Sequence, residues 1–521
     1  MPDFDSLEPV LDAKEIQGNS LAGFNKDHQC FLFFEINDVK KAKSWISSLI
    51  SSISTLEEVA CFNRLYRQIR HRQEKEPFGL VSTWMNIAFS YRGLNKLTPE
   101  SNQFSNNRQN AFPFGMENRS GLLGDQNEGS PDNWVLGGKT NNPDIVLIIA
   151  SDVESYMVQS YEQILNEASA DSGVRLVFKQ IGKVRQDKKG HEHFGFSDGV
   201  SQPAPRGRLS NTEGDFLTAR VLEPDSPHSL DYAKPGHQLV CAGQFVLGYA
   251  RDNRDDPNTQ IPYDPSLAPS WAVNGSYMVI RRLKQDVAGF WSFVKEQADE
   301  LEIPYEKLAS LMVGRWPSGA PIMRTPEKDI PSLGKDDYAN NHFNYSSLIP
   351  NMPVLPSENY PGDHYPPQIT NDFLGQVCPH AAHIRKMNPR DLGVDSGSTR
   401  DTLKLRMIRR GIPYGDPLII KDYSNIVPDQ EDRGLMFVSY QSSIEDTFEF
   451  LTSTWANEEN LPNEGGHDPI IGQNDEASDR HRIFKWQDKS ITINKDFVIP
   501  TGGEYFFQPS ITALKTVITK E

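Results

Sequence analysis

Cysteine is scarce. The 521-residue chain has four, Cys30, Cys61, Cys241 and Cys378, and none lies near another. With neither C-x-x-C nor C-x-x-C-H, a zinc ribbon, a thioredoxin-type redox pair and a covalently attached c-type haem are excluded. Excess basic charge is also missing: 53 Lys and Arg stand against 70 Asp and Glu, a formal net charge of −17. Nucleic acid and anionic membrane both want a basic face, so neither is an expected partner. No apolar run approaches the ~20 residues of a membrane-spanning helix. The opening MPDFDSLEPVLDAKEIQGNS has no basic n-region and no apolar h-region, so no signal peptide is visible in it.

What the chain does have is length, with 36 prolines and 37 glycines, enough for two or three packed units joined by irregular connections. Residues 31–36 (FLFFEI) read as a strand, and 38–53 carry helical spacing at Ala42, Trp45, Ile46, Leu49 and Ile50. Strands follow at 83–91 and 143–150, then a helix over 153–168 with Tyr156, Val158, Tyr161 and Leu165 inward, then a strand at 174–182. This order, βαββαβ, is ferredoxin-like. It recurs with strands at 277–283, near 404–410, at 435–441 and at 504–508, and helices at 286–300 and 444–456. The expected fold is α+β: two ferredoxin-like units with antiparallel sheets packed together. The N-terminal half spans 1–205, a connection 206–235, and the C-terminal half 236–521 with an irregular insertion at 317–375.

Three stretches carry chemistry. In HEHFGFSDGVSQP, 191–203, Asp198 stands between Gly195 and Gly199, residues free to take positive φ. By itself this also fits a surface Asx turn. In CPHAAHIRKMNPRD, 378–391, Cys378, His380 and His383 have metal-ligand spacing, but a structural zinc wants a fourth ligand and none is near. His383 alone suits an axial imidazole on an iron whose other ligands come from a macrocycle. In RMIRRGIPYG, 406–415, neighbouring residues of a strand face opposite sides, so only one of Arg409 and Arg410 can enter a pocket. An ordinary surface ion pair is the plain alternative for either.

Taken in order, GFSDGVSQP, CPHAAHIRKMNPR, RRGIPYG and GLMFVSYQSSI resemble the signatures of the dye-decolorizing (DyP-type) haem peroxidases, the fungal branch most of all. LDAKEIQGN, NIAFSYRGLNKL, FPFGMENR, GHDPIIGQ and IPTGGEYFFQPS fit the same family, so the resemblance spans roughly residues 10–510. It implies one non-covalent haem b between the two ferredoxin-like halves. Asp198 is then the distal acid–base residue, His383 the proximal iron ligand and Arg409 the distal arginine. Leu435 and Phe437 line the distal pocket, Asp468 bonds His383, and Arg385 meets a haem propionate. The interval from Asp198 to His383 exceeds the family's usual spacing, which the 317–375 segment accounts for.

The resemblance further implies hydrogen peroxide as oxidant and dyes, phenolic or lignin-derived compounds as reductants, with Mn2+ oxidised by some members. Bulky reductants need a surface relay, and Trp455 resembles the family's surface tryptophan, with Tyr414 as its tyrosine companion. The family implies an extracellular protein, with the cytoplasm as the alternative. A non-catalytic haem carrier on the same fold would need His383 but neither Asp198 nor Arg409. A chlorite-dismutase-like protein should lack the distal Asp.

Overall fold

The computed structural model describes residues 7–105, 110–168, 171–221, 231–253, 256, 259–345, 365–366, 372–392, 401–475 and 481–520. In the first strand, β1 (His28–Ile36), Cys30, Leu32 and Phe34 join one core while Phe31 and Phe33 join another. Both faces of the strand are buried, which is why its sequence is an unbroken apolar run rather than an alternation. Helix α1 (Val39–Leu49) follows, its N-terminus capped by the Asp38 side chain, and it buries Ala42, Trp45, Ile46 and Leu49 against the outer face. Then come α2 (Leu56–Gln73), β2 (Thr83–Ser90), β3 (Ile145–Ser151), α3 (Glu154–Glu167) and β4 (Val174–Lys183).

The second half repeats the pattern with β5 (Ser276–Gln285), α4 (Val287–Glu300), α5 (Tyr305–Val313) and α6 (His383–Met387). It continues with β6 (Ile408–Arg409), β7 (Ile412–Tyr414), β8 (Gly434–Gln441) and β9 (Val498–Gln508). Between β8 and β9, residues Glu445–Glu449 and Leu451–Ala456 wind as π-helix.

These nine strands form one antiparallel sheet in the order β6-β8-β5-β9-β2-β3-β1-β4, with β7 beside β6 on the edge of β8, and short strands elsewhere make three smaller sheets. Each half has the strand order of a ferredoxin-like unit. The halves join where β9 meets β2, through the pairs Phe506↔Ser90 and Phe507↔Phe89. The far edge, β4, curls back to β7. A Cβ on Gly182 would stand 2.4 Å from Ile412 Cγ2. Phe31, Phe33, Ile148, Met278, Met436, Val438 and Phe506 fill the interior of this curled sheet.

Several expectations change. The strand expected near 404–410 is cut to Ile408–Arg409, because residues Asp401–Leu405 form a 3₁₀ turn. The last strand is longer than 504–508 and begins at Val498. On α3 the buried residues are Met157 and Ile164, with Val158, Tyr161 and Leu165 partly covered, whereas Tyr156 faces solvent. Of the proposed connection, 222–230 lies outside the described residues, as do 346–364 and 367–371 of the insertion.

Candidate active site

His383 opens the short helix α6, whose Lys386 ammonium anchors it by donating to the carbonyls of Leu461 (2.6 Å) and Gly466 (2.7 Å). The imidazole Nδ1 lies 2.8 Å from Oδ2 of Asp468, whose side chain is wholly buried. The other Asp468 oxygen accepts from the backbone N–H groups of Ile470 (2.8 Å) and Ile471 (2.9 Å). Burial disfavours charge on the ring, but the Asp468 carboxylate outweighs it and holds His383 above its ordinary pKa. A proton fixed on Nδ1 leaves the Nε2 lone pair for a metal, the arrangement seen in carboxylate-supported histidine ligands.

Opposite lies the loop of residues 190–203. Its fold depends on Glu192, which sequence reading passed over although it stands in the quoted motif. The Glu192 carboxylate accepts the backbone N–H groups of Phe194 (2.7 Å) and Phe196 (2.8 Å), and burial raises its pKa despite those bonds. His193 Nε2 reaches the Tyr414 carbonyl at 2.8 Å and ties the loop to β7. Gly195 and Gly199 have φ of +99° and +69°, and a Cβ on either would meet nothing closer than 3.5 Å. Backbone conformation, not space, requires glycine there. The turn they make leaves the Asp198 carboxylate exposed toward the cavity, with Oδ1 accepting only its neighbour Gly199 N–H at 2.6 Å.

Arg409 and Arg410 both line the cavity, but their guanidinium groups take different partners. Arg409 donates to the Ser201 carbonyl at 2.6 Å and its backbone pairs with the Gln202 amide, so it joins β6 to the Asp198 loop. Burial lowers its pKa, with Asp198 as the opposing charge. Arg410 turns to the carbonyls of Asn19 and Leu21.

His383, Asp198 and Arg409 line one cavity of about 590 Å³, within the roughly 300–1,000 Å³ of cofactor-sized pockets. Its walls are apolar at Leu283, Ile384, Leu435, Phe437 and Phe448, with Leu435 and Phe437 half-exposed to it. At one side Arg315, Arg390 and Arg406 also line it. Arg315 and Arg406 are pushed down to about 9, by burial first and then by the neighbouring cation Arg390, with Arg409 adding to it at Arg406. Crowded buried cations of this kind suit an anionic group. The donor set therefore fits a haem: one imidazole nitrogen, flat apolar walls and arginines for the carboxylates.

Arg385 is not among those arginines. Its guanidinium binds Asp372 and the Cys378 carbonyl and lies over the Tyr345 ring at 4.4 Å, away from the cavity. Two residues along a helix turn a side chain by about 200°, so Arg385 cannot share the direction of His383. Nor do Cys378 and His380 converge with His383. Both ring nitrogens of His380 meet carbonyls, of Glu464 and Phe373, and burial pushes the Cys378 thiol up to about 12.

The relay residues are corrected too. Trp455 is 0% exposed, packed edge-on against Phe450 at 5.7 Å, because the chain after it folds back over its helix. Asp468 N–H donates to the Ala456 carbonyl and Asn457 reaches the Leu123 carbonyl, which closes that cover. Tyr414 is also buried, on the inner face of β7, with the Arg282 guanidinium 4.2 Å above its ring. Neither is a surface aromatic.

Residues 15–186 match the family described as DyP dimeric alpha+beta barrel domain, and residues 250–464 match Dyp-type peroxidase, C-terminal. A dye-decolorizing peroxidase of Mycetinis scorodonius is 31% identical over 98% of this chain and 88% of its own length. That of Auricularia auricula-judae is 32% identical over 97% and 86%. Among solved structures, an ancestral D-type dye-decolorizing peroxidase superposes with a TM-score of 0.74 at 32% identity, covering 97% of this chain and 99% of the other. A variant of the Pleurotus ostreatus enzyme gives 0.75 at 29% identity, covering 98% and 99%. With this fold, this cavity and these relatives, the chain belongs to the dye-decolorizing peroxidases, a family of haem-dependent oxidoreductases.

Proposed function

We propose that this peroxidase reduces hydrogen peroxide with one non-covalent haem b held by His383 between halves 1–205 and 236–521, and oxidises bulky dyes and phenols. The observation that carries the reading is the convergence of Asp468-backed His383, Asp198 and Arg409 on one cavity. Haem, when bound, supplies the iron that takes peroxide and stores the oxidising equivalents. Asp198 takes the proton from one peroxide oxygen and returns it to the other, so that water leaves, a contribution of about 10²–10⁴ to the rate. Arg409 stabilises the negative charge that grows on the departing oxygen, and as a guanidinium it does not surrender its own proton. Arg315, Arg390 and Arg406, which line the cavity, would hold the propionates in place of Arg385.

The test is an absorption spectrum before and after one equivalent of peroxide. The Soret band shifts in the native protein, and in Asp198→Asn it is present but shifts about 10²–10⁴ times more slowly. A native Soret band indifferent to peroxide would identify a haem carrier instead. His383→Ala should hold little haem, and full retention of the band would move the ligand elsewhere.

A further inference from the structure

A dye too large for this cavity must deliver its electrons at the surface, and Trp455 is sealed inside. Another line of rings does reach solvent. Phe196, on the cavity wall, lies parallel to Trp291 of α4, ring planes 8° apart and centroids 6.3 Å apart. The Trp291 indole N–H donates to the Phe194 carbonyl at 3.0 Å, which fixes it to the loop that carries Asp198. On its other side Trp291 meets Tyr423 edge-on at 5.2 Å and Tyr305 at 6.0 Å. These tyrosines stack on each other at 4.6 Å, 23° from parallel. Trp291 is buried and both tyrosines are half-exposed. Partial burial and the Glu306 carboxylate beside its hydroxyl raise the Tyr305 pKa, so the phenol is protonated and has an acceptor at hand.

We propose that Tyr305 and Tyr423 form a surface oxidation site for bulky phenols and dyes, connected to the cavity through Trp291 and Phe196. The proposal rests on the peroxidase reading, since peroxide supplies its oxidising equivalents. Trp291 yields one electron toward the cavity and regains one from a tyrosine, which releases its phenolic proton to Glu306 or water and becomes a neutral phenoxyl. A phenolic reductant at the surface returns one electron and one proton to that tyrosine and leaves as a radical. Two such events consume one peroxide.

Holoenzyme is mixed with one equivalent of hydrogen peroxide and 2-methyl-2-nitrosopropane, the Soret band is followed, and trap adducts are located by peptide mass spectrometry. Adducts are expected on the peptides of Tyr305 or Tyr423, and Trp291→Phe should lower their yield roughly tenfold or more. The double variant Tyr305→Phe/Tyr423→Phe keeps the ring packing; it should lose bulky-dye turnover roughly tenfold or more, with the peroxide-driven Soret shift at its native rate. Native enzyme whose Soret band shifts but which carries no adduct on either peptide overturns the proposal. So does dye turnover undiminished in the double variant. A Soret band that does not respond overturns the peroxidase reading itself, and the relay with it.

Discussion

His193 lies five residues before Asp198, and the bond of its ring to the Tyr414 carbonyl helps hold the distal loop to the strand pair that carries Arg409. Its Nδ1 is buried without a partner, so a second proton on the ring has no acceptor, and burial lowers its pKa to about 4. The unfolded chain binds that proton near pH 6.5 and the folded chain only near 4. Stability should therefore fall as pH drops through this window, by about 3 kcal/mol from this one residue. Chemical denaturation at pH 7 and pH 4.5 measures it, and His193→Gln should flatten the difference. Asp468→Asn should cost about 10–100-fold in haem affinity or activity, because the amide no longer fixes the His383 tautomer. Titration of apoprotein with haem reads it directly. At this scale the sequence was legible where a residue type has one job: His383 and Asp198 stand in motifs of distinctive composition. Glu192 and His193 were not, since their work is to bind backbone groups, and backbone positions are invisible before folding.

Helices show where legibility ended. The inward stripe of α1 could be read from spacing because one face of it packs on the sheet. Helix α2 could not: only Leu56, Val59 and Ala60 are buried, all near its N-terminus, where Thr55 and Glu58 form a capping box. The π-wound segment kept its place after β8, but what covers it is decided by residues 457–473, which no periodicity announces. Trp455 is therefore a packing residue. Trp455→Ser should cost about 3–5 kcal/mol of stability. Urea unfolding with a dye assay on the folded fraction distinguishes this from loss of a relay, which would spare stability and abolish dye turnover.

The halves of the molecule meet at two unlike seams, the short ladder between β9 and β2 and the side-chain contact between β4 and β7. At the second, Gly182 leaves Ile412 no slack. Gly182→Val should destabilise the protein by about 1–3 kcal/mol through overpacking, and Ile412→Ala in the same chain should recover part of it. Thermal unfolding of the three variants tests the coupling. The repeated order of apolar strands and spaced helices made the two units legible. Their closure was not, because it depends on sheet twist and on a glycine whose partner is more than two hundred residues away.

The division of labour between the halves also bears on how the enzyme matures. His383, Asp468, Arg409, Leu435 and Phe437 all come from the C-terminal half, and Asp198 arrives only on the loop that the N-terminal half lays across it. A nascent C-terminal half that captured haem early would own the iron ligand and the flat pocket but no proton shuttle. On the proposed reading such an intermediate should react with peroxide about 10²–10⁴ times more slowly, as expected of Asp198→Asn. Full oxidant activation on that reading therefore depends on the docking of the two halves.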